Sequence, residues 1–408
     1  MNRFWFIGVL GIILCPRLQA DSETHAPWFT SGPKAAPSTL KLPETIRVEL
    51  LHSRHSLTLS CTDRFTYVAL RRGKPVNLKP NAVLRVKGSR HELIIGKKTI
   101  SEGILVAPVS PRAVITVNGR SYRGTLTLRA RSSGFVDVIE QVGLEEYLYG
   151  VLPREVGVDW PADALKAQAV VSRTYVAANL GKYADRGYDI TSDVYTQVYG
   201  GLDDENPAAS EAVDATQGEI LVDAQGAPIL AFFHSSCGGR TENPAYVWED
   251  LKDPPDYLES VRDSYCKDDP YNHWHLDISA ETLRLRLRRA GYRVGTPRTI
   301  SIDKRSPSGR AWVIAVAWAQ GQKLIPGNKF RLAIGPDQLR STLLSEIRRD
   351  GKMFHFEGSG WGHGVGLCQW GARGRALAGQ SYAKILSAYY PRARLVHLTE
   401  QSGEEASP

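Results

Sequence analysis

Beyond its first twenty residues, the 408-residue chain has no apolar run long enough to cross a bilayer, a crossing that takes about 20 residues as a helix. Membrane-spanning helices are therefore not expected there. Cysteine is scarce at five. Cys61, Cys237, Cys266 and Cys368 are scattered and lack the spacing of a compact zinc motif. A compact His/Glu metal motif is missing too, and so is any nucleic-acid signature, although the chain is basic. Lys and Arg number 51 against 43 Asp and Glu, a formal net charge of +8 with a pI near 9.1. That balance suits an anionic polymer. An apolar content of 42% is enough for a large core, in one elaborate domain or two.

Met1–Ala20 has the form of a secretory signal, with Arg3 ahead of the apolar run Phe4–Leu14 and a Leu18-Gln19-Ala20 cleavage site. The expectation is an exported chain, periplasmic or associated with the cell wall. Cys15 follows a bulky Leu14, where lipidation wants a small residue, so lipidation is the lesser alternative. Residues 21–45, rich in Pro, Ser and Thr, form a flexible linker. With four cysteines left after export, disulfides are expected, in any of three pairings.

From 46 to about 142 short runs alternate apolar and polar residues between turn formers, the pattern of half-buried strands. Asn118-Gly119 marks a hairpin. The fold class expected is α+β. It comprises a β-rich part at 46–120, a helix-containing core at 121–395 into which a smaller α+β subdomain at 276–350 is inserted, and a C-terminal tail at 396–408.

The stretch 148–180 organises the core. Glu155 lies between Pro153 and Gly157, which predicts a sharp connection. A long helix follows, with Asp159 as N-cap and Pro161 in its first turn. Leu165, Ala169, Ser172 and Val176 recur as one buried stripe, and Lys166 and Arg173, two turns apart, share a second face. Residue by residue, the simpler reading is a surface glutamate ahead of an ordinary core helix with two solvated cations.

Three blocks change that balance. They are Leu144–Leu148 with Gly150–Glu155, Ala164–Val170 and Ser172–Tyr175; Phe233–Thr241 (FHSSCGGRT); and Gly360–Ala372 (GWGHGVGLCQWGA). Together they resemble the stage II sporulation protein D (SpoIID/LytB) family. The resemblance implies a role at peptidoglycan, either as a lytic transglycosylase of peptide-free glycan strands or as an enhancer of a partner N-acetylmuramoyl-L-alanine amidase. It implies Glu155 as catalytic acid/base. Substrate contacts would come from Lys166, Arg173, Gln197, Tyr199, Ser235, Ser236, His363 and Gln369. The family usually has Ser where this chain has Cys368, leaving a free thiol or a bridge to Cys61.

Counting carboxylates gives the mechanism. Glycosidases ordinarily use two. Lytic cleavage of muramic acid needs one, because the sugar's own 6-hydroxyl attacks and leaves a 1,6-anhydro end. Such an acid wants a raised pKa, which Leu152, Val156 and Trp160 would supply by desolvation. A Cys237–Cys266 disulfide is expected in place of a metal. The alternative is zinc on His234, Cys237 and Cys266, and a zinc hydrolase built on His234 and His363 is a third function. The arginine-rich helix from Ala280 to Arg289 is expected to have a solvated basic face.

Overall fold

The computed structural model describes residues 41–398, apart from 72, 194, 195 and 252. The expected signal segment, Cys15, most of the expected linker and the residues from 399 onward lie outside the described residues. Among those described, no helix is long and apolar enough to cross a membrane.

The expected α+β class is what the structure has. The N-terminal part consists of two sheets. The larger has seven strands, ordered Ile190–Thr191, Thr45–Arg54, Val136–Gly143, Thr125–Ala130, Ile104–Pro108, Phe65–Ala69 and Val76–Leu78. The second has six, with Ser56–Cys61 between Ile115–Val117 and Leu84–Ser89. Alternation along Ser56–Cys61 buries Leu57, Leu59 and Cys61 and leaves Ser56 and Thr58 exposed. The hairpin at Asn118-Gly119 has both residues at positive φ, 51° and 87°, which favours Asn and Gly there. The strands run on past residue 120. Thr125–Ala130 and Val136–Gly143 belong to the larger sheet, and the latter leads directly into the first helix.

Helix α1 spans Leu144–Glu155 and α2 spans Ala162–Asn179. The cap of α2 is Pro161, not Asp159, and it makes no side-chain bond. The residues of the expected stripe, Leu165, Ala169, Ser172 and Val176, are all buried, but the helix is not one-sided. Leu165, Ala169 and Val176 pack into the core under the large sheet. Ala167, Val170 and Val171 pack into a second core with Leu221, Ile229, Leu367 and Cys368. α2 is thus the wall between two cores, which is why its sequence is rich in Ala and Val on every side. Helix α3, Pro207–Asp214, covers α1 and α2, with Asn206 accepting from the N–H of Ala208 as its cap.

A third core belongs to residues between Trp274 and Phe356. It is built from two three-stranded sheets with helices α4, Ala280–Arg289, and α5, Gly327–Ile334. This subdomain interrupts the second core, which resumes with α6, Gln369–Leu377, and α7, Tyr382–Tyr389.

Candidate active site

Glu155 is the last residue of α1; the chain turns extended at Val156. Pro153 lies inside the last turn of α1, and the helix ends two residues beyond it. Helical spacing puts Tyr147, Val151 and Glu155 on one face of α1, and Glu145, Tyr149 and Leu152 on another. Glu155 is half-buried. The carboxyl pKa is raised from its ordinary value to about 7 because burial penalises the charge; the Val198 N–H, donating to Oε1 at 3.0 Å, pulls the other way. Two of the expected apolar neighbours, Leu152 and Val156, are buried beside it in sequence. Trp160 packs its indole on Gly157 and on Trp370, with ring centroids 5.2 Å apart, and Arg373 lies over the Trp370 ring.

Beneath Glu155 runs a chain of buried hydrogen bonds. Tyr147 donates to Gln197 Oε1 at 3.3 Å, and Gln197 Nε2 donates to the Ser172 carbonyl at 3.4 Å. Gln168 Nε2 donates to Ser172 Oγ at 3.2 Å, and Gln369 Nε2 donates to Gln168 Oε1 at 3.4 Å. The chain crosses α2 and ties the loop that holds Glu155 to the C-terminal block. Tyr199 stacks on Tyr147 and donates to Glu140, whose own carboxyl is pushed up to about 8 by burial.

Several expected substrate contacts are therefore corrected. Gln197 is 0% exposed, and Tyr199 and Gln369 are each 6%. Their polar atoms are spent inside the protein, so they support the site and do not line it. Arg173 is 0% exposed. Its guanidinium forks onto Glu145, at 2.8 and 2.5 Å, and donates to the carbonyls of Val213 and Glu219. Lys166, half-buried, lies 6.0 Å from the Tyr382 ring, whose hydroxyl donates to Glu219. Lys166 and Arg173 do share a face of α2, but that face points to Glu219, not to the Gln168–Ser172 side beneath Glu155.

The two other blocks meet each other. Phe233–His234 pairs in parallel with Leu367–Cys368, and Ser236 and Trp361 exchange backbone bonds of 2.9 Å. Ser236 is buried by this pairing, while Ser235 stays half-buried. Gly366, at φ 71°, is required because a Cβ there would lie 2.0 Å from the Phe232 carbonyl. His363 Nδ1 accepts the Val365 N–H at 3.1 Å, and burial holds the ring's pKa down, to about 3. His234 Nδ1 lies 3.1 Å from the Val365 carbonyl, and burial holds its pKa well below the usual imidazole range. The two rings are 5.6 Å apart. Trp361 packs edge-on to Tyr271, and Arg340 lies over both rings.

The cysteines regroup in a way the spacing did not suggest. Cys237 and Cys266 meet, Sγ to Sγ, at 3.5 Å, in contact but unbonded. Their companions are Cys368 and Asp263. His234 is not one of them, so the ligand set His234, Cys237 and Cys266 is not assembled. Cys61 is buried in the first core and Cys368 in the second, which excludes a bridge between them.

Residues 132–222, which carry Glu155, α1, α2 and the Val198 loop, match the family described as stage II sporulation protein; residues 255–366 match a domain of unknown function. The stage II sporulation protein D of Bacillus amyloliquefaciens is 31% identical over 268 residues, 62% of this chain and 74% of that one. This chain belongs to the stage II sporulation protein D family. An uncharacterized protein of Brachyspira hyodysenteriae is 33% identical over 276 residues, 67% of this chain and 72% of its own. The amidase enhancer of Bacillus subtilis is 28% identical over 424 residues, 90% of this chain, which spans 56% of that relative.

Within this family member, sequence reasoning overlooked Tyr147, Glu145, Val198 and Asp263. Tyr147 carried a signal, two helical turns before Glu155 on the same face. Glu145 and Val198 act through partners 28 and 43 positions away.

Proposed function

We propose that this family member acts on peptidoglycan and cleaves its glycan strands as a lytic transglycosylase, with Glu155 as the single acid/base. The observation that carries the reading is the Glu155 carboxyl, its pKa raised to about 7 by burial and its Oε1 held by the Val198 N–H. In the first half-step the Glu155 proton passes to the glycosidic oxygen as the bond from the muramic C1 to that oxygen breaks. In the second, the sugar's 6-hydroxyl bonds to C1 and its proton returns to Glu155. A group that gives and then takes one proton works best when its pKa lies near the working pH. Val198 N–H holds the carboxyl in one orientation. Trp160, Trp370 and Arg373 offer a ring face and a cation beside it, suited to a sugar and to the lactyl carboxylate of a peptide-free strand.

Mass spectrometry of the products from purified protein and peptide-free glycan tests this. The expected products end in 1,6-anhydromuramic acid, and Glu155→Gln makes none. Products with reducing ends overturn the lytic mechanism. A second reading, non-catalytic enhancement, draws on the similarity to the amidase enhancer over 90% of this chain. An absence of cleavage, together with stimulation of an N-acetylmuramoyl-L-alanine amidase, supports that reading instead.

A further inference from the structure

Cys237, Asp263, Cys266 and Cys368 come from three separated segments, and all four are buried. One ligand atom from each lies within 4.8 Å of all the others. Cys237 Sγ lies 3.5 Å from Cys266 Sγ and 3.4 Å from Asp263 Oδ2. Four ligands set tetrahedrally about a cation at about 2.3 Å would be roughly 3.8 Å from one another. The cluster has that size.

Its surroundings are built for anionic sulfur. Cys368 Sγ accepts the N–H of Cys237 at 3.2 Å and that of Gly371 at 3.3 Å, the latter as the N-cap of α6. Tyr389 donates to Asp263 Oδ2 at 2.8 Å, and Arg375 lies 3.8 Å from Oδ1, so both carboxylate oxygens are held in place. Buried Arg310 donates to the Cys237 carbonyl and places a positive charge at the edge of the group. A Cys237–Cys266 disulfide would use two sulfurs and leave Cys368 Sγ, with its two N–H donors, and the Asp263 carboxylate outside the bond.

We propose that Cys237, Cys266, Cys368 and Asp263 form a closed, structural zinc site, separate from Glu155. Three thiolates and one carboxylate, with every position supplied by the protein, match zinc in ligand softness and in geometry. Each thiol gives up its proton as the metal binds. The ion would pin the Ser235–Gly239 turn, the loop carrying Asp263 and Cys266, and the start of α6 to one point. It thereby fixes the block that contains His363 and Trp361. The inference does not depend on the reading of Glu155.

The test uses the full protein purified without chelator or reductant. Elemental analysis should find stoichiometric zinc. Cobalt replacing it should show a thiolate charge-transfer band and the visible spectrum of a tetrahedral ion. His234→Ala should retain the metal, and Cys368→Ser should lose it or alter the cobalt spectrum. Removing zinc with a strong chelator should lower Tm. Metal-free protein whose intact mass is two hydrogens short, showing a disulfide, overturns the proposal. So does metal-free protein with every thiol free that takes up no cobalt, and so does loss of metal in His234→Ala. If Cys368→Ser fails to fold, the cobalt spectrum of the unmodified protein decides.

Discussion

At the scale of single residues, a carboxyl held at about pH 7 has a cost that can be measured. In the unfolded chain Glu155 would titrate near its ordinary value of 4.5. Its folded pKa is raised, so as the pH climbs between the two values the unfolded state loses its proton first, and stability falls. The loss is complete above the folded pKa. Glu155→Gln has no proton to lose. It should match the unmodified protein in stability below pH 4.5 and exceed it above pH 7, by about 2 kcal/mol after allowance for solvent screening. Urea melts at both pH values check this, and an unchanged difference between the two variants across pH would refute it. In the lytic reading, the free enzyme must begin protonated, so kcat/KM should fall roughly tenfold per pH unit above about pH 7. The residue that destabilises the fold at neutral pH is thus the one assigned to the chemistry.

At the scale of elements, α2 shows where sequence reasoning runs out. Strands in the N-terminal part are legible because each buries one face, and alternation survives in the sequence. Asn118-Gly119 is legible because the turn needs two residues at positive φ. α2 is buried on opposite faces by two cores, so a one-stripe pattern describes only half of it. Arg173 looks like a solvated cation because its partner, Glu145, lies 28 residues earlier. The cysteine cluster was hidden for the same reason, since Cys237 and Cys368 are 131 positions apart. The Glu155 block was legible because its residues lie within a single stretch. The structural role of Arg173 predicts a specific outcome. Arg173→Ala strands a carboxylate and two carbonyls, and should cost about 3 kcal/mol of stability. Arg173→Lys should recover little, because an ammonium cannot make the fork. Thermal and denaturant melts measure the loss. A raised KM at full stability would instead return Arg173 to substrate binding.

At the scale of the whole molecule, the charge is unevenly placed. Residues 274–358 carry 16 Lys and Arg against seven Asp and Glu, an excess of nine. The whole chain has an excess of only eight, so the remainder is slightly acidic. The basic balance therefore belongs to the inserted subdomain. On α4 the apolar Leu283 and Leu287 face its core, while Arg288 and Arg289 are exposed, as is Arg293 just beyond. The solvated basic face expected of this helix is present at these positions. A peptide-free glycan strand bears a row of lactyl carboxylates, and exposed charges attract such a polymer only within a Debye length, about 10 Å at 0.1 M salt. Binding to peptide-free strands should therefore weaken as salt rises. The triple replacement Arg288→Gln, Arg289→Gln, Arg293→Gln should lower affinity at low salt by roughly threefold or more, and flatten the salt dependence. Sedimentation of the protein with insoluble glycan at several salt concentrations measures both effects. In the lytic reading, cleavage of a short soluble glycan, too small to reach the subdomain from Glu155, should be unchanged by the same three replacements. An unaltered salt slope would refute a part for this basic face in holding glycan strands.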